Sequence, residues 1–498
     1  MNNVEGKKWR GEMKTRDRSQ HNRPGDIYAG FLLPVMILMA LLFTTLMAFH
    51  APADTALFPH ITEAMTDPDF WADRFDEPDA ILADEGEISA MNAAFLADPD
   101  CCMFNLLRPR KTYDGKALTQ ELVKKASQDL SIYLGDGYYG EDGEHISYKE
   151  MVPIIENIDG GRGSSQQEVR YGICVNPTDV RILPTEMIIT DDPGDNDFDV
   201  LQDSGLRVNE PVIIRAQTHD KKWFYCDTIC VSGWVPAEDM AICAHRGEWM
   251  RAWHFPESEA LVITEGRLYL DESNVNDAAS RRMLTMGTVL QRVSEEEYDP
   301  VITNRAPFHN YAVYLPVRNK KGKYETTIAL IPVHSSVSEG YLPLTVRNVL
   351  TVAFSMLGDA YGWGGMLGVP DCSLYARNIY KCFGLELPRN SSWQAAMPAF
   401  SKNLSEMSMD QKKAALNEMP PGTILYFKGH IMLYLGRILG RHYVISSVSS
   451  MLDTDGDGKL RVRGVVLNTL EDTKRVSGNT WLQDLARAIV PWLPEGSE

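Results

Sequence analysis

After residue 25 the sequence has no cluster of basic residues, and its 49 Lys and Arg stand against 68 Asp and Glu. The formal charge of −19 excludes nucleic acid as the main partner, because that binding relies on clustered cations that release counterions. Cysteine pairs at metal-site spacing are also missing. Cys226 and Cys230 have no second pair behind them, which argues against zinc. The run DTDGDGK, 453–459, begins like a calcium loop, but its twelfth position is Gly464 where such a loop needs Glu, so a tight loop between strands is expected. The carboxylates of TDDPGDNDFD, 190–199, lack the alternation of a calcium site and read as a solvated turn. No cysteine closely follows the long apolar segment, so a lipoprotein anchor is not indicated. No metal or other cofactor is called for.

What is present is enough apolar material for several cores: 498 residues, 44% hydrophobic and 23% charged. The first 26 residues form a basic tail, in which Lys7, Lys8, Arg10, Lys14, Arg16, Arg18 and Arg23 stand against three acidic residues before residue 25. Residues 27–49 then carry no charge, which is long enough to cross a bilayer with the basic flank held in the cytoplasm. APAD, 51–54, offers an Ala-x-Ala cleavage site, so this segment is either a transmembrane anchor or a signal helix. Both readings export residues 50–498, to the periplasm, anchored in the inner membrane or released. Export permits disulfides among the eight cysteines, four of which fall between 174 and 243, with pairing left open.

Texture divides the exported part. Residues 50–157 are acidic and then loop-rich, an irregular N-terminal domain, and IDGGRGSSQQ, 158–167, reads as a linker. Short β-rich runs such as PVIIRAQT and YAVYLPVRNKKGKYETTIALIPV imply two small β domains over 158–250 and 251–340. From 341 to 498 the pattern becomes mixed α/β.

In YGWGGMLGVPDCSLYARNIYKCFG, 361–384, three glycines and Pro370 hold off a helix until Asp371, an N-cap that leaves Cys372 on the first turn. A helix N-terminus and a nearby imidazole both favour a thiolate, and first-turn N–H groups suit an oxyanion. His430, heading the apolar run HIMLYLG, is the candidate base; Cys382 reads as structural.

These stretches resemble the NlpC/P60 cysteine peptidases in four motifs met in order: YGWGG at 361, DCS at 371, LPRNSSWQ at 387 and PGTILYFKGHIMLYLG at 421. RILPT, DFDVLQDSGLRVNEPV and SGWVPAEDMA further resemble the first module of the subgroup with an N-terminal stabilising segment and two bacterial SH3 domains. The resemblance implies a multidomain α+β chain: two small SH3-like β-barrels, then a papain-like peptidase domain. It implies hydrolysis of the γ-D-glutamyl–diaminopimelate amide in peptidoglycan stem peptides or muropeptides. Cys372 would attack and His430 would move the proton, while Asp371, Ser373, Ser391 and Trp363 would line the acceptor for the peptide. The third catalytic position, usually His, falls on Ser446 by strand counting or on His442 by its separation from His430. Leu374 replaces a small residue of the motif and reads as a packing change. A catalytically degenerate envelope-binding protein, and an amidase or transpeptidase on the same core, stay open beside the peptidase.

Overall fold

The computed structural model describes residues 58–161, 163–453 and 458–496. The expected anchor or signal segment and the basic tail lie outside them, as does most of the calcium-like run. Among the described residues no helix is long and apolar enough to cross a membrane.

The first β-rich stretch forms a seven-stranded antiparallel sheet. Its strands run Met240–Ile242, Arg170–Cys174, Pro211–Gln217, Trp223–Asp227, Ser232–Pro236, Thr178–Arg181 and Gln202–Leu206 in spatial order. Gln202–Leu206 ends that order and alternates buried and half-buried residues, the period of a strand with both faces in use. The second stretch gives a five-stranded sheet. The long pair Asn310–Arg318 and Tyr324–Pro332 leads through Val289–Arg292 and Ala260–Ile263 to Val337–Glu339.

Residues 399–494 supply a six-stranded antiparallel sheet in the order Ala399–Asn403, Arg487–Pro494, Ile424–Phe427, His430–Ile438, Arg441–Leu452, Lys459–Thr469. The helix Cys372–Lys381 packs on it and buries every residue from Ser373 to Tyr380. With the helix Val346–Phe354 it closes one core that includes Tyr375, Tyr380, Ile431, Trp481 and Trp492. The chain is thus the multidomain α+β assembly that the sequence implied.

The stretch 50–157, read as irregular, is largely helical where described. Its first part, through the helix Glu85–Ala97, sends Trp71 and Phe95 into the core under the Cys372 helix. The region read as loop-rich holds two helices, Gly115–Tyr133 and Tyr148–Gly160. Their Leu118, Leu122, Met151 and Ile154 pack on Trp223, Tyr225 and Trp234 of the first β domain. Polar outer faces mask this amphipathic pattern in composition. The linker starts late, because 158–160 still belong to the second helix. All eight cysteines are free thiols.

Candidate active site

Cys372 occupies the first helical position because its neighbours leave no alternative. The loop before it turns through Gly364, Gly365 and Gly368 at φ 62°, 89° and 69°, a region that penalises any Cβ. An added Cβ at Gly365 would sit 2.8 Å from Leu374 and 3.0 Å from the Gly205 nitrogen. The close approach lets the first β domain lie backbone to backbone on this loop, and Leu374 fills the space below it. Asp371 then caps the helix, accepting from Leu374 N–H at 2.8 Å. Cys372 itself is half-buried.

His430 begins a strand after a tight turn at Gly429, φ 93°, and the N–H of its neighbour Ile431 bonds to the Cys372 thiol. Its ring is held between Phe427 and Trp481, at centroid distances of 5.4 and 4.9 Å. Nε2 lies 3.1 Å from Oγ of Ser446 on the adjoining strand, whose register pairs Leu433 with Ile445. Ser447 points the other way and donates to the Pro370 carbonyl at 2.8 Å, tying that strand to the residue before the cap.

Beneath the cap lies a buried ion pair. Arg389 donates to both Asp371 oxygens, at 2.6 and 3.2 Å, and to Ser373 Oγ at 2.9 Å. Its Nε reaches across to Ser204 Oγ of the first β domain at 2.9 Å. Gln394 Nε2 donates to the Ser373 carbonyl at 2.9 Å, bracing the same turn.

A second wall comes from the run 190–199, which is not the solvated turn read from its charges. Asp199 is fully buried against Arg181 at 2.7 Å. Asp192 and Asp195 pair with Arg461 and Arg463, which lie on a strand of the C-terminal sheet. Phe198 stacks on Trp363 at 4.3 Å, and the Arg463 guanidinium covers both Phe198 and Tyr361.

The electrostatics contradict the expected thiolate. Burial pushes the Cys372 thiol up to about 12, helped by the Asp371 carboxylate. The N–H groups of Ile431 and Ser373 and the charge of Arg389 pull the other way but do not prevail. Burial, reinforced by Arg475, lowers His430 to about 3. Burial also opposes charge on Asp371, yet Arg389 outweighs it and holds the carboxyl below its ordinary range. The free site therefore pairs a neutral thiol with a neutral imidazole, over a fixed carboxylate.

The same stretches find matches among known proteins. Residues 358–484 match the NlpC/P60 family model, and residues 190–236 match the model of an SH3 domain of the SH3b1 type. The chain carries an NlpC/P60 domain behind an SH3 domain. It is similar to dipeptidyl-peptidase 6 of Lysinibacillus sphaericus, 31% identical over 98 residues. That match takes in 19% of this chain and spans about a third, 31%, of the relative's length. The fold is similar to an NlpC/P60 endopeptidase of Photobacterium damselae subsp. piscicida, with a TM-score of 0.66 at 18% identity over 85% of this chain and 97% of that one. An NlpC/P60 family protein of Bacillus cereus matches over 59% of this chain and 83% of its own, at a TM-score of 0.39 and 17% identity.

Within the NlpC/P60 domain, His430 and Ser446 come together, the N–H of the next residue, Ile431, bonds to the Cys372 thiol, and His442 is engaged elsewhere. Its Nδ1 lies 2.8 Å from Glu471 and its Nε2 3.2 Å from Asn417, so both ring nitrogens are engaged elsewhere in a fully buried setting. The twelve-residue separation does not bring the two histidines together because the hairpin turns only after Ile438 and sets His442 opposite Arg437. Asp371 and Ser373 are buried under the cysteine and bonded to Arg389. Ser391 opens the helix Ser391–Ala396, half-buried. Trp363 forms the wall with Phe198, its buried indole N–H without a protein partner. Sequence reading passed over Arg389 and Gln394, although both sit inside LPRNSSWQ, and over Ser204, Phe198 and Arg463, which belong to other stretches.

Proposed function

We propose that this protein is an exported cysteine endopeptidase of the cell wall, hydrolysing the γ-D-glutamyl–diaminopimelate amide of stem peptides or muropeptides. The observation that supports the reading is a half-buried thiol on a helix's first turn that accepts the N–H of Ile431, the residue next to an imidazole whose Nε2 lies against Ser446. In the proposed reaction His430 Nδ1 takes the thiol proton as Sγ adds to the amide carbonyl. Orphan N–H groups of the helix's first turn stabilise the oxyanion. Collapse breaks the C–N bond, and the imidazolium returns its proton to the leaving amine. Water then hydrolyses the thioester with His430 again as base. Ser446 is assigned the positioning role, keeping Nδ1 toward sulfur. Action in the periplasm, from the inner membrane or after release, belongs to the same proposal and rests on the basic tail and the charge-free segment 27–49.

The test is incubation of the full chain with L-Ala-γ-D-Glu-diaminopimelate, following release of the dipeptide L-Ala-D-Glu. Cleavage by the wild type that Cys372→Ala abolishes supports the proposal. Cleavage that survives the substitution removes the nucleophile, and binding without cleavage over a range of pH and reductant would favour a degenerate envelope-binding protein.

A further inference from the structure

The second β domain carries a groove of about 1110 Å³ that shares no lining residue with the cysteine cleft. It exceeds the ~300–1,000 Å³ of ordinary small-molecule sites, room for more than a compact ligand. Its floor is tyrosine, and these rings are fixed. Tyr314 donates to Glu297 Oε2 at 3.1 Å and Tyr311 to Glu339 Oε1 at 3.1 Å. Tyr298 accepts the Ala312 N–H at 3.2 Å through its hydroxyl. Each ring is thus pinned at its polar end, packed on an apolar cluster and still half-exposed where it lines the groove, which lowers the ordering cost of binding. At the rim, Phe308 is 79% exposed and packs edge-on against His309, which lines the groove.

The charges narrow the ligand. Four glutamates against two arginines line the groove, which disfavours an anionic polymer. Nor are these carboxylates free to hold a full cation: Arg292 already pairs with Glu339, and Gln291 donates to Glu259 at 2.7 Å. What they still offer is lone pairs beside fixed aromatic faces, which suits hydroxyl donors on a flat apolar ring. We infer that this groove binds a neutral sugar chain, with pyranose faces on Tyr311 and Tyr314 and sugar hydroxyls donating to Glu297 and Glu339. The choice of a β-1,4-linked amino sugar as the chain rests on the proposed cell-wall reading; the groove's chemistry does not.

The test is calorimetric titration of the full chain with an N-acetylglucosamine hexamer, in wild type, Tyr314→Ala, Tyr311→Ala and Glu297→Gln. The expected result is saturable wild-type binding, weakened roughly tenfold by either alanine and several-fold by the isosteric Glu297→Gln, which stands in if the truncations impair folding. Hydrolysis of the sugar-free tripeptide, measured on the same preparations, stays unchanged. Absence of saturable binding by the wild type, or binding indifferent to all three substitutions, overturns the inference. Binding of the hexamer by a wild type that cleaves no tripeptide would uphold the groove and sink the peptidase reading, so the two fail separately.

Discussion

Nη2 of Arg389 donates to Oδ2 of Asp371 at 2.6 Å, with both side chains almost sealed from solvent directly beneath the cysteine. Removing one partner of such a pair leaves a buried charge uncompensated, at a cost of about 3–5 kcal/mol. Arg389→Met is therefore expected to lower the unfolding free energy measured by denaturant titration by that amount. The pair also sets an acid limit. Asp371 is held below its unfolded range, so its contribution is present above about pH 4 and is lost as pH falls through the lower folded value. Stability-against-pH curves should lose this acid dependence in Arg389→Met.

Ser446→Ala and His442→Ala are expected to separate cleanly. The first removes the side-chain hydrogen bond to His430 Nε2 and should lower kcat about three- to tenfold with little change in stability. The second leaves Glu471 and Asn417 without their buried partner and should cost about 1–3 kcal/mol of stability with kcat preserved. Paired kinetics and thermal melts check both, and a large kcat loss in His442→Ala alone would reverse the assignment.

The neutral thiol and imidazole predict two pH limbs. His430 is lowered to about 3, so its contribution to stability is present above the unfolded value of about 6.5 and lost as pH falls toward 3. Cys372 is raised to about 12, so its contribution is present below about pH 8.5 and lost as pH rises toward 12. His430→Phe should flatten the acid limb and Cys372→Ala the alkaline one. Alkylation of Cys372 by iodoacetamide should climb through pH 9 without a plateau near neutrality; such a plateau would reveal a preformed thiolate.

Phe198→Ala and Arg463→Ala test the wall contributed by the first β domain. Each loosens the stack on Trp363 at a distance from the reacting atoms. A rise in KM of about threefold to tenfold with near-constant kcat is expected from the ~0.5–1.5 kcal/mol of an aromatic pair. The Arg463 effect should shrink as salt rises, since its ion pair with Asp195 is partly exposed.

Much of the site was legible locally. The helix start at Cys372 followed from glycines, Pro370 and a capping Asp371, all within one short window. His430 was legible because a titratable residue at the head of an apolar strand is conspicuous. What escaped depends on partners far away in the chain. The charges of 190–199 read as solvent-facing because Arg461 and Arg463 come some 270 residues later. The thiolate expectation failed for a related reason: helix N-terminus chemistry is local, whereas burial and the Asp371 field arise only on assembly. Ser446 could be reached by counting strand against strand, but not His442's separate network with Glu471 and Asn417.

The core under the Cys372 helix also fixes an order of events. Trp71 and Phe95 belong to the same apolar cluster as Trp481 and Trp492, so the beginning and the end of the described chain complete one another. Domains emerging from a ribosome generally fold as units from the N-terminus. Here the segment around Trp71 and Phe95 has no finished surface to dock on until Arg487–Pro494, the last strand of the described residues, has been made. The Cys372 helix therefore gains its final burial only once that strand is in place, and loss of Arg487–Pro494 would undo the packing of Trp71 as surely as that of Trp492.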